Sequence, residues 1–177
     1  MRILAWKLSR GGSITQFPST KGHVSYVLSR FFFLSEAKND FLYLQNMQVS
    51  LGFDSLKIVE PIGNSGGLAL MYSKDYPVEF VFESDRLIDI ETIIDGDRVF
   101  ITFVSGDPVV QHRELVWERL TRIALTRSDP WFMISDFNEI IGNHEKKGGK
   151  SRSESSFLTF CCMIENCGMI EVPSHGN

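Results

Sequence analysis

Residues 86–104, RLIDIETIIDGDRVFITFV, constrain the fold of this chain more than any other stretch. In the first half, isoleucines alternate with Asp89 and Glu91, which is typical of a strand with one buried face and one face in water. Asp95-Gly96 is a two-residue turn of the kind that joins antiparallel strands, and a second β-rich run follows it. The segment therefore predicts a β-hairpin, and with it a sheet whose centre is antiparallel.

Short apolar runs elsewhere predict further strands. They lie at residues 2–6, 30–36, 55–60, 68–72, 78–84, 131–135 and 169–172. The runs at 2–6, 30–36 and 131–135 have the apolar density of buried strands. This strand content needs helices to cover the sheet faces, so the expected class is α/β.

Three segments have the apolar spacing of helices, at residues 39–51, 108–126 and 154–167. Each has a start signal: Asn39 or Asp40 for the first, Asp107-Pro108 for the second, and a Ser151 and Glu154 capping box for the third. Glycines follow the first and third segments, as they commonly do at helix ends. Helices of this length can cover sheet faces.

The composition fits one soluble domain over residues 1–177. With 43% hydrophobic residues, a chain of 177 residues can bury one sizeable core. Its apolar runs are too short for a signal-peptide core or a membrane span, so we expect an intracellular protein that does not enter a membrane. The net charge of -4 argues against a broadly basic face. Binding of nucleic acid would therefore need a local basic patch or a bound cation.

The three cysteines, Cys161, Cys162 and Cys167, lie close together near the end of the chain. Their number is odd and their spacing is not that of metal ligands. We therefore expect reduced, mostly buried thiols and no zinc site.

Polar side chains end two of the predicted buried strands. Asp136 and Asn138 follow the run at 131–135, and side chains two apart on an extended segment face the same way. Glu36 stands in the same place after FFFLS. Carboxylates from two strand ends suit Mg²⁺, and an amide can donate to a phosphate oxygen. The residues alone leave a plainer interpretation open, because Asp and Asn often form turns after a strand.

Several phrases of the sequence resemble a known family. In chain order they include FLSEAKND, SGGLALMY, PWFMISDFNEI and ENCGMIEVPSHGN, within residues 1–6 and 31–177. They resemble the endonuclease domain of plant non-LTR (LINE-type) retrotransposons, in the endonuclease/exonuclease/phosphatase superfamily. The resemblance implies a two-sheet α/β sandwich of DNase-like fold that cleaves DNA phosphodiesters with Mg²⁺, or with Mn²⁺ in its place.

The resemblance also assigns roles to three residues. Glu36 matches the metal-binding glutamate, and Asp136 matches the acid that orients or deprotonates the attacking water. Asn138 matches the amide that holds a phosphate oxygen. DNA is the implied substrate, no small-molecule cofactor is implied, and in the parent element a reverse transcriptase would follow. The implied compartment is the nucleus.

The chain departs from the family pattern at three places. Lys7 stands where the family has Asn, and an ammonium repels a divalent cation and cannot accept a metal bond. Ser105 stands where the family has a tyrosine that reaches the phosphate. The final Ser-Asp-His segment of the family has no counterpart, so we expect a fold that lacks its last strands.

Residues 7–30 also depart from the family, and a frameshift offers a reason. One base inserted after the codon of Trp6 would turn the family's Asn-Cys-Arg-Gly into the Lys-Leu-Ser-Arg-Gly found here. Translating the codons of this region in a reading frame shifted by one base would test that hypothesis.

The first prediction from the resemblance and these departures is a retrotransposon-derived endonuclease-like protein with weak or no activity. A non-catalytic nucleic-acid-binding or interaction protein is the alternative, and a phosphatase of the same superfamily is a weaker one.

Overall fold

The computed structural model describes residues 3–7, 29–37, 40–62 and 66–172. The chain divides into two compact units. The first contains the residues up to Ser105 together with Asp129–Asp136, and the second contains Gly106–Ser128 and the residues from Phe137 onward. The single domain expected over 1–177 stays a prediction. Residues 8–28, which hold most of the proposed frameshift, lie outside the described ranges.

The first unit contains two four-stranded sheets. One is built from β1 (Ile3–Lys7), β2 (Phe31–Ser35), β3 (Ser55–Val59) and β4 (Leu68–Tyr72), in the order β1-β2-β4-β3. β1 and β2 are parallel, and the other pairs are antiparallel. The mixed sheet follows the predicted strands closely, because each run has too few apolar residues for a helix.

The second sheet contains the predicted hairpin. Its strands are β5 (Val78–Ser84), β6 (Leu87–Ile94), β7 (Asp97–Ser105) and β8 (Trp131–Asp136), in chain order across the sheet. Only β7 and β8 are parallel. Asp95 and Gly96 turn the hairpin with φ of 54° and 96°, values that a two-residue turn with left-handed backbone requires. The antiparallel centre is therefore confirmed.

The two sheets of the first unit pack face to face over one hydrophobic core. Its buried members are Phe31, Phe33, Leu68, Leu70, Ile88, Ile90, Val99, Ile101 and Phe103. The rings of Phe33 and Phe103 lie 5.2 Å apart between their centroids, which joins β2 to β7 across the sandwich. Each such side chain contributes about 1.5–3 kcal/mol when fully buried. The expected two-sheet sandwich is thus present.

A helix covers the other face of the first sheet. This helix, α1 (Phe41–Leu51), places Leu44 and Met47 against Phe32 and Phe53. Asp40 is its N-cap, because the Asp40 carboxylate accepts a hydrogen bond of 2.7 Å from the amide of Tyr43. The predicted cap and the predicted glycine end, Gly52, are both confirmed.

The second unit is helical. It contains α2 (Val110–Ala124), two 3-10 turns at Asn143–Glu145 and Glu154–Ser156, and α3 (Leu158–Asn166). Trp117 of α2, Phe160 of α3 and Phe137 form an aromatic cluster with ring centroids 5.0 to 5.8 Å apart. Edge contacts of this kind add to the burial of the rings and hold α2 and α3 together.

Two helix starts differ from the prediction. The α2 helix begins at Val110, because the Asp107 carboxylate binds the Val109 amide at 2.8 Å and holds residues 107–109 in a turn. The Ser151 capping box does not form. Glu154 instead accepts a hydrogen bond of 3.0 Å from the Asn143 side chain.

Three burial predictions were wrong. β1 and β8 lie at the edges of their sheets and have one neighbouring strand each, so Trp6 and Phe132 are largely exposed. The cysteines are not mostly buried, since Cys162 is exposed and the other two are half-buried. Burial raises the pKa of the Cys167 thiol to about 11, although a hydrogen bond with Thr121 acts in the opposite direction.

The strand predicted at 169–172 is also wrong. Within the described part of the chain these residues pair with no neighbouring strand, and an unpaired segment is not a strand. Gly168, with φ of 62°, ends the preceding helix as expected. None of the helices in the described ranges has the length and apolarity to span a membrane.

Candidate active site

Four polar residues lie where strands of the first unit end. In the parallel pair β1 and β2, Lys7 lies opposite Ser35, so Glu36 comes directly after the same edge. In the parallel pair β7 and β8, Ser105 lies opposite Asp136. Strands that run parallel end at the same edge of their sheet. Each sheet therefore presents the carboxyl ends of two strands together.

An ion pair brings these two edges together. The Lys7 Nζ atom lies 2.7 Å from the Asp136 Oδ2 atom, which joins the end of β1 to the end of β8. We call the set of Lys7, Glu36, Ser105 and Asp136 the strand-end site. Sequence reasoning singled out all four residues but did not predict that Lys7 and Asp136 bind each other.

The backbone at Glu36 is held in an unusual conformation. Its φ is 58°, in the left-handed region that residues other than glycine rarely adopt. The amide of the next residue, Ala37, donates a hydrogen bond of 2.8 Å to the carbonyl of Gly67. A Cβ atom at Gly67 would lie 2.6 Å from the Ala37 carbonyl oxygen. The second glycine of the SGG phrase thus permits the contact that fixes the chain after Glu36.

The strand-end site does not fit a divalent cation in the arrangement that the resemblance implies. An ammonium occupies one side of the Asp136 carboxylate, and two positive charges close together repel each other. Within residues 3–7, 29–37, 40–62 and 66–172, no three His, Cys, Asp or Glu side chains group closely enough to hold a metal ion. The ammonium on Asp136 therefore opposes the Mg²⁺ site expected from the resemblance.

Ser105 is buried, so its hydroxyl group is not accessible to a substrate. Its exposed fraction is 1%, and its amide donates a hydrogen bond of 2.9 Å to the carbonyl of Arg86. Arg86 is itself buried beside Gly66 and Asp85. Sequence reasoning missed Arg86, because a charged residue beside a hairpin is normally solvated. Ser105 is thus buried and held by its backbone beside the start of β6.

Asn138 belongs to the second unit. Its φ is 52°, and its side-chain amide donates a hydrogen bond of 2.6 Å to the carbonyl of Gly106. A Cβ atom at Gly106 would lie 1.8 Å from the carbonyl oxygen of Phe137, so only glycine fits there. Backbone strain of this kind persists only where surrounding contacts enforce it, and it is common at functional sites. Among the described residues, three that are not glycine have a positive φ, and two of these are the predicted site residues Glu36 and Asn138.

A buried acid of the second unit follows Asn138. Glu139 accepts hydrogen bonds of 2.7 Å from Arg113 and 2.5 Å from Arg152, and only 5% of its side chain is exposed. Burial alone would raise the pKa of Glu139, but hydrogen bonds from Arg152, from the Ile140 amide and from Arg113 hold it below its ordinary value. Sequence reasoning missed this network, since Arg113 reads as a solvated helix residue. Glu139 fixes the segment after Asn138 against α2.

Comparison with known proteins shows the fold. No family model and no curated protein sequence matches the chain. The endonuclease domain of TRAS1, a telomere-specific non-LTR retrotransposon, is similar with a TM-score of 0.63 at 10% identity, over 94% of this chain and 70% of that one. The AP endonuclease LMAP from Leishmania major has a TM-score of 0.63 at 10% identity, over 93% of this chain and 66% of that one.

TDP2 is also similar. The structure from D. rerio, complexed with a single-strand DNA product, has a TM-score of 0.55 at 13% identity, over 96% of this chain and 65% of that one. For TDP2 from Caenorhabditis elegans the TM-score is 0.55 at 17% identity, and the match covers 84% of this chain but only 49% of that one. At these identities the likeness concerns the fold alone. The described residues thus form two mixed sheets with a few helices, in part of the DNase I-like α/β fold of these nucleases and phosphodiesterases.

Proposed function

We propose that this chain is an endonuclease-like protein of retrotransposon origin that binds DNA and cleaves it weakly or not at all. The proposed weak or absent cleavage rests on a single observation, the contact of 2.7 Å between Lys7 Nζ and Asp136 Oδ2. The nuclease half is supported by the DNase I-like fold and by the retrotransposon endonuclease among its structural neighbours. The plant branch and a reverse transcriptase partner rest on the sequence resemblance.

Phosphodiester hydrolysis needs a nucleophile held in line and groups that stabilise charge as it develops on the phosphate. Asp136 is the residue proposed to orient or deprotonate the water. Its Oδ2 atom is already bound to an ammonium, so this oxygen is less available to accept a hydrogen bond from a water. Asn138 is proposed to bind the phosphate oxygen, but one of its two amide N–H groups is bound to Gly106.

Ser105 contributes nothing to charge stabilisation in this proposal, since it is buried. The other groups to which the resemblance assigns roles are Glu36 and Asn138. In well-studied hydrolases, removal of one group that stabilises the developing charge lowers the rate about 100- to 1000-fold. Loss of several such groups supports weak or absent cleavage.

The fold supports the DNA-binding part of this proposal, which holds even if no cleavage remains. TDP2 from D. rerio is a DNase I-like protein that was solved with a single-strand DNA product. A similar fold here would present a surface for a DNA strand even where the chemistry is lost. The net charge of -4 requires that such a surface be locally favourable, since the whole chain does not attract DNA.

A nicking assay distinguishes these functions. The purified chain is incubated with supercoiled plasmid and Mg²⁺, beside the Asp136→Ala variant. We expect no more nicked plasmid than with Asp136→Ala, together with DNA retention that weakens as salt is raised. Nicking that Asp136→Ala abolishes would show an active nuclease and overturn the proposed loss of activity. Absence of both nicking and retention would overturn the whole proposal.

A further inference from the structure

We propose that the ammonium of Lys7 replaces the divalent cation at the strand-end site, so that this end of the sandwich associates with DNA without a metal ion. The proposal rests on the proposed function for its DNA part only. Its metal part concerns Lys7, Glu36 and Asp136 and stands on the geometry of the first unit.

The strand register places Lys7 beside the end of β2, where Glu36 follows. Lys7 is the last residue of β1, and its partner Ser35 in the neighbouring parallel strand immediately precedes Glu36. Neighbouring strands lie about 4.8 Å apart. Lys7 also reaches across to the other sheet, where it binds Asp136 at 2.7 Å. A lysine at this position therefore brings one positive charge from the end of β1 in the first sheet to the carboxylate at the end of β8 in the second.

The charge of Lys7 has two consequences. It repels a divalent cation, because like charges at a few ångströms interact strongly even in a partly solvated site. It also offsets the charge of Asp136, so the strand-end site is less negative than it would be without Lys7. A DNA phosphate therefore meets less repulsion at this site. The tethered ammonium thus supplies permanently part of the charge that a metal ion would supply on binding.

Manganese binding tests the metal part directly. Free Mn²⁺ is measured by electron paramagnetic resonance as it is titrated into the wild-type chain and into Lys7→Asn, with no DNA present. We expect no saturable binding by the wild type, and binding at least about tenfold tighter by Lys7→Asn. Adding Asp136→Asn to Lys7→Asn should abolish the gain. Lys74→Asn is the matched control, since Lys74 pairs with Asp54 at 3.7 Å at the opposite edge of the first sheet, near the start of β2.

A second variant and a folding measurement ensure that a misfolded protein is not taken for a negative result. Lys7→Met removes the charge without adding a ligand, and circular dichroism reports whether each variant is folded. If folded Lys7→Asn and Lys7→Met both bind Mn²⁺ no better than the wild type, Lys7 does not exclude the cation and the proposal is wrong. Saturable Mn²⁺ binding by the wild type that Asp136→Asn removes would overturn it as well.

DNA binding tests the remaining part. Fluorescence anisotropy with a labelled duplex is measured in EDTA and in Mg²⁺. We expect equal affinities in the two conditions for the wild type, and an affinity about tenfold lower in EDTA for Lys7→Met, because Lys7 then no longer offsets the charge of Asp136. Wild-type binding that requires Mg²⁺ would contradict the proposal. If neither protein binds DNA while the Mn²⁺ results hold, the proposed function fails and the exclusion of metal by Lys7 stands.

Discussion

Asp136 and Glu139 lie three residues apart in the chain, and each forms ion pairs with basic side chains. The two clusters of charges differ in burial. Asp136 of the first unit has 35% of its side chain exposed and Lys7 has 46%. Glu139 of the second unit is 5% exposed and Arg113 is 10% exposed. Exposed ion pairs contribute about 0–1 kcal/mol to stability, whereas breaking a buried pair costs about 3–5 kcal/mol. The strand-end site can therefore change its chemistry at little cost to the fold.

The largest loss of stability is expected when the buried cluster around Glu139 and Arg113 loses its carboxylate. Glu139→Ala leaves Arg113 buried without its carboxylate, so the free energy of unfolding should fall by about 3–5 kcal/mol. Urea denaturation followed by circular dichroism measures the change. The control is Glu118→Ala on the exposed face of α2, where the pair with Arg122 is worth about 0.3–0.5 kcal/mol. Equal losses in the two variants would contradict the structural role of Glu139.

A smaller but still large effect is expected at Gly106. A methyl group there would lie 1.8 Å from the Phe137 carbonyl oxygen, a backbone atom that cannot rotate away. We expect Gly106→Ala to cost about 3 kcal/mol, at the upper end for overpacking. Gly148→Ala is the control, because a Cβ there meets nothing within 4 Å and only the left-handed backbone costs about 1 kcal/mol. If Gly148→Ala proved the more costly change, the close approach at Gly106 would be refuted.

Acidification should weaken the buried cluster. The pKa of Glu139 is held below its ordinary value, so its contribution to stability is present above the pKa of about 4.3 that a glutamate has in the unfolded chain. That contribution is lost as the pH falls through the pKa in the folded state. The stability advantage of the wild type over Glu139→Gln should therefore narrow below about pH 4.3, as measured by urea denaturation at several pH values. An advantage that stays constant or grows on acidification would count against the ionised, hydrogen-bonded Glu139.

The smallest effect is expected at the exposed pair. Lys7→Met should change the free energy of unfolding by no more than about 0.5 kcal/mol, because the pair is largely exposed and screened. Thermal unfolding beside Lys74→Met provides the measurement and its control. If Lys7→Met lowered the free energy of unfolding as much as Glu139→Ala, the proposed difference in stability between the exposed pair and the buried cluster would be wrong.

The sequence predicted most of the elements because their signals are local. The alternation around Asp89, the turn at Asp95-Gly96 and the cap at Asp40 each act within a few residues, so they can be read without knowing the rest of the fold. Burial at β1 and β8 could not be read in this way. Whether a strand lies at the edge of a sheet depends on strand order, which arises from contacts between distant parts of the chain.

The site was only partly predictable for the same reason. Glu36 and Asp136 were singled out because acids directly follow apolar runs, and the roles that the family phrases assign to them stay predictions. The pairing of Lys7 with Asp136 depends on two strands of different sheets, and no spacing in the sequence indicates it. The Glu139 network likewise joins α2 to a loop through long side chains, so Arg113 could not be distinguished from a solvated arginine.

A crystal structure after a soak in Mn²⁺ tests the central claim most directly, since the anomalous signal locates the metal and the electron density locates Lys7. We predict no manganese peak between the ends of β1 and β8, with the Lys7 ammonium bound to the Asp136 carboxylate. A manganese ion coordinated by Asp136, with Lys7 displaced toward solvent, would contradict the account and restore a metal-dependent nuclease site.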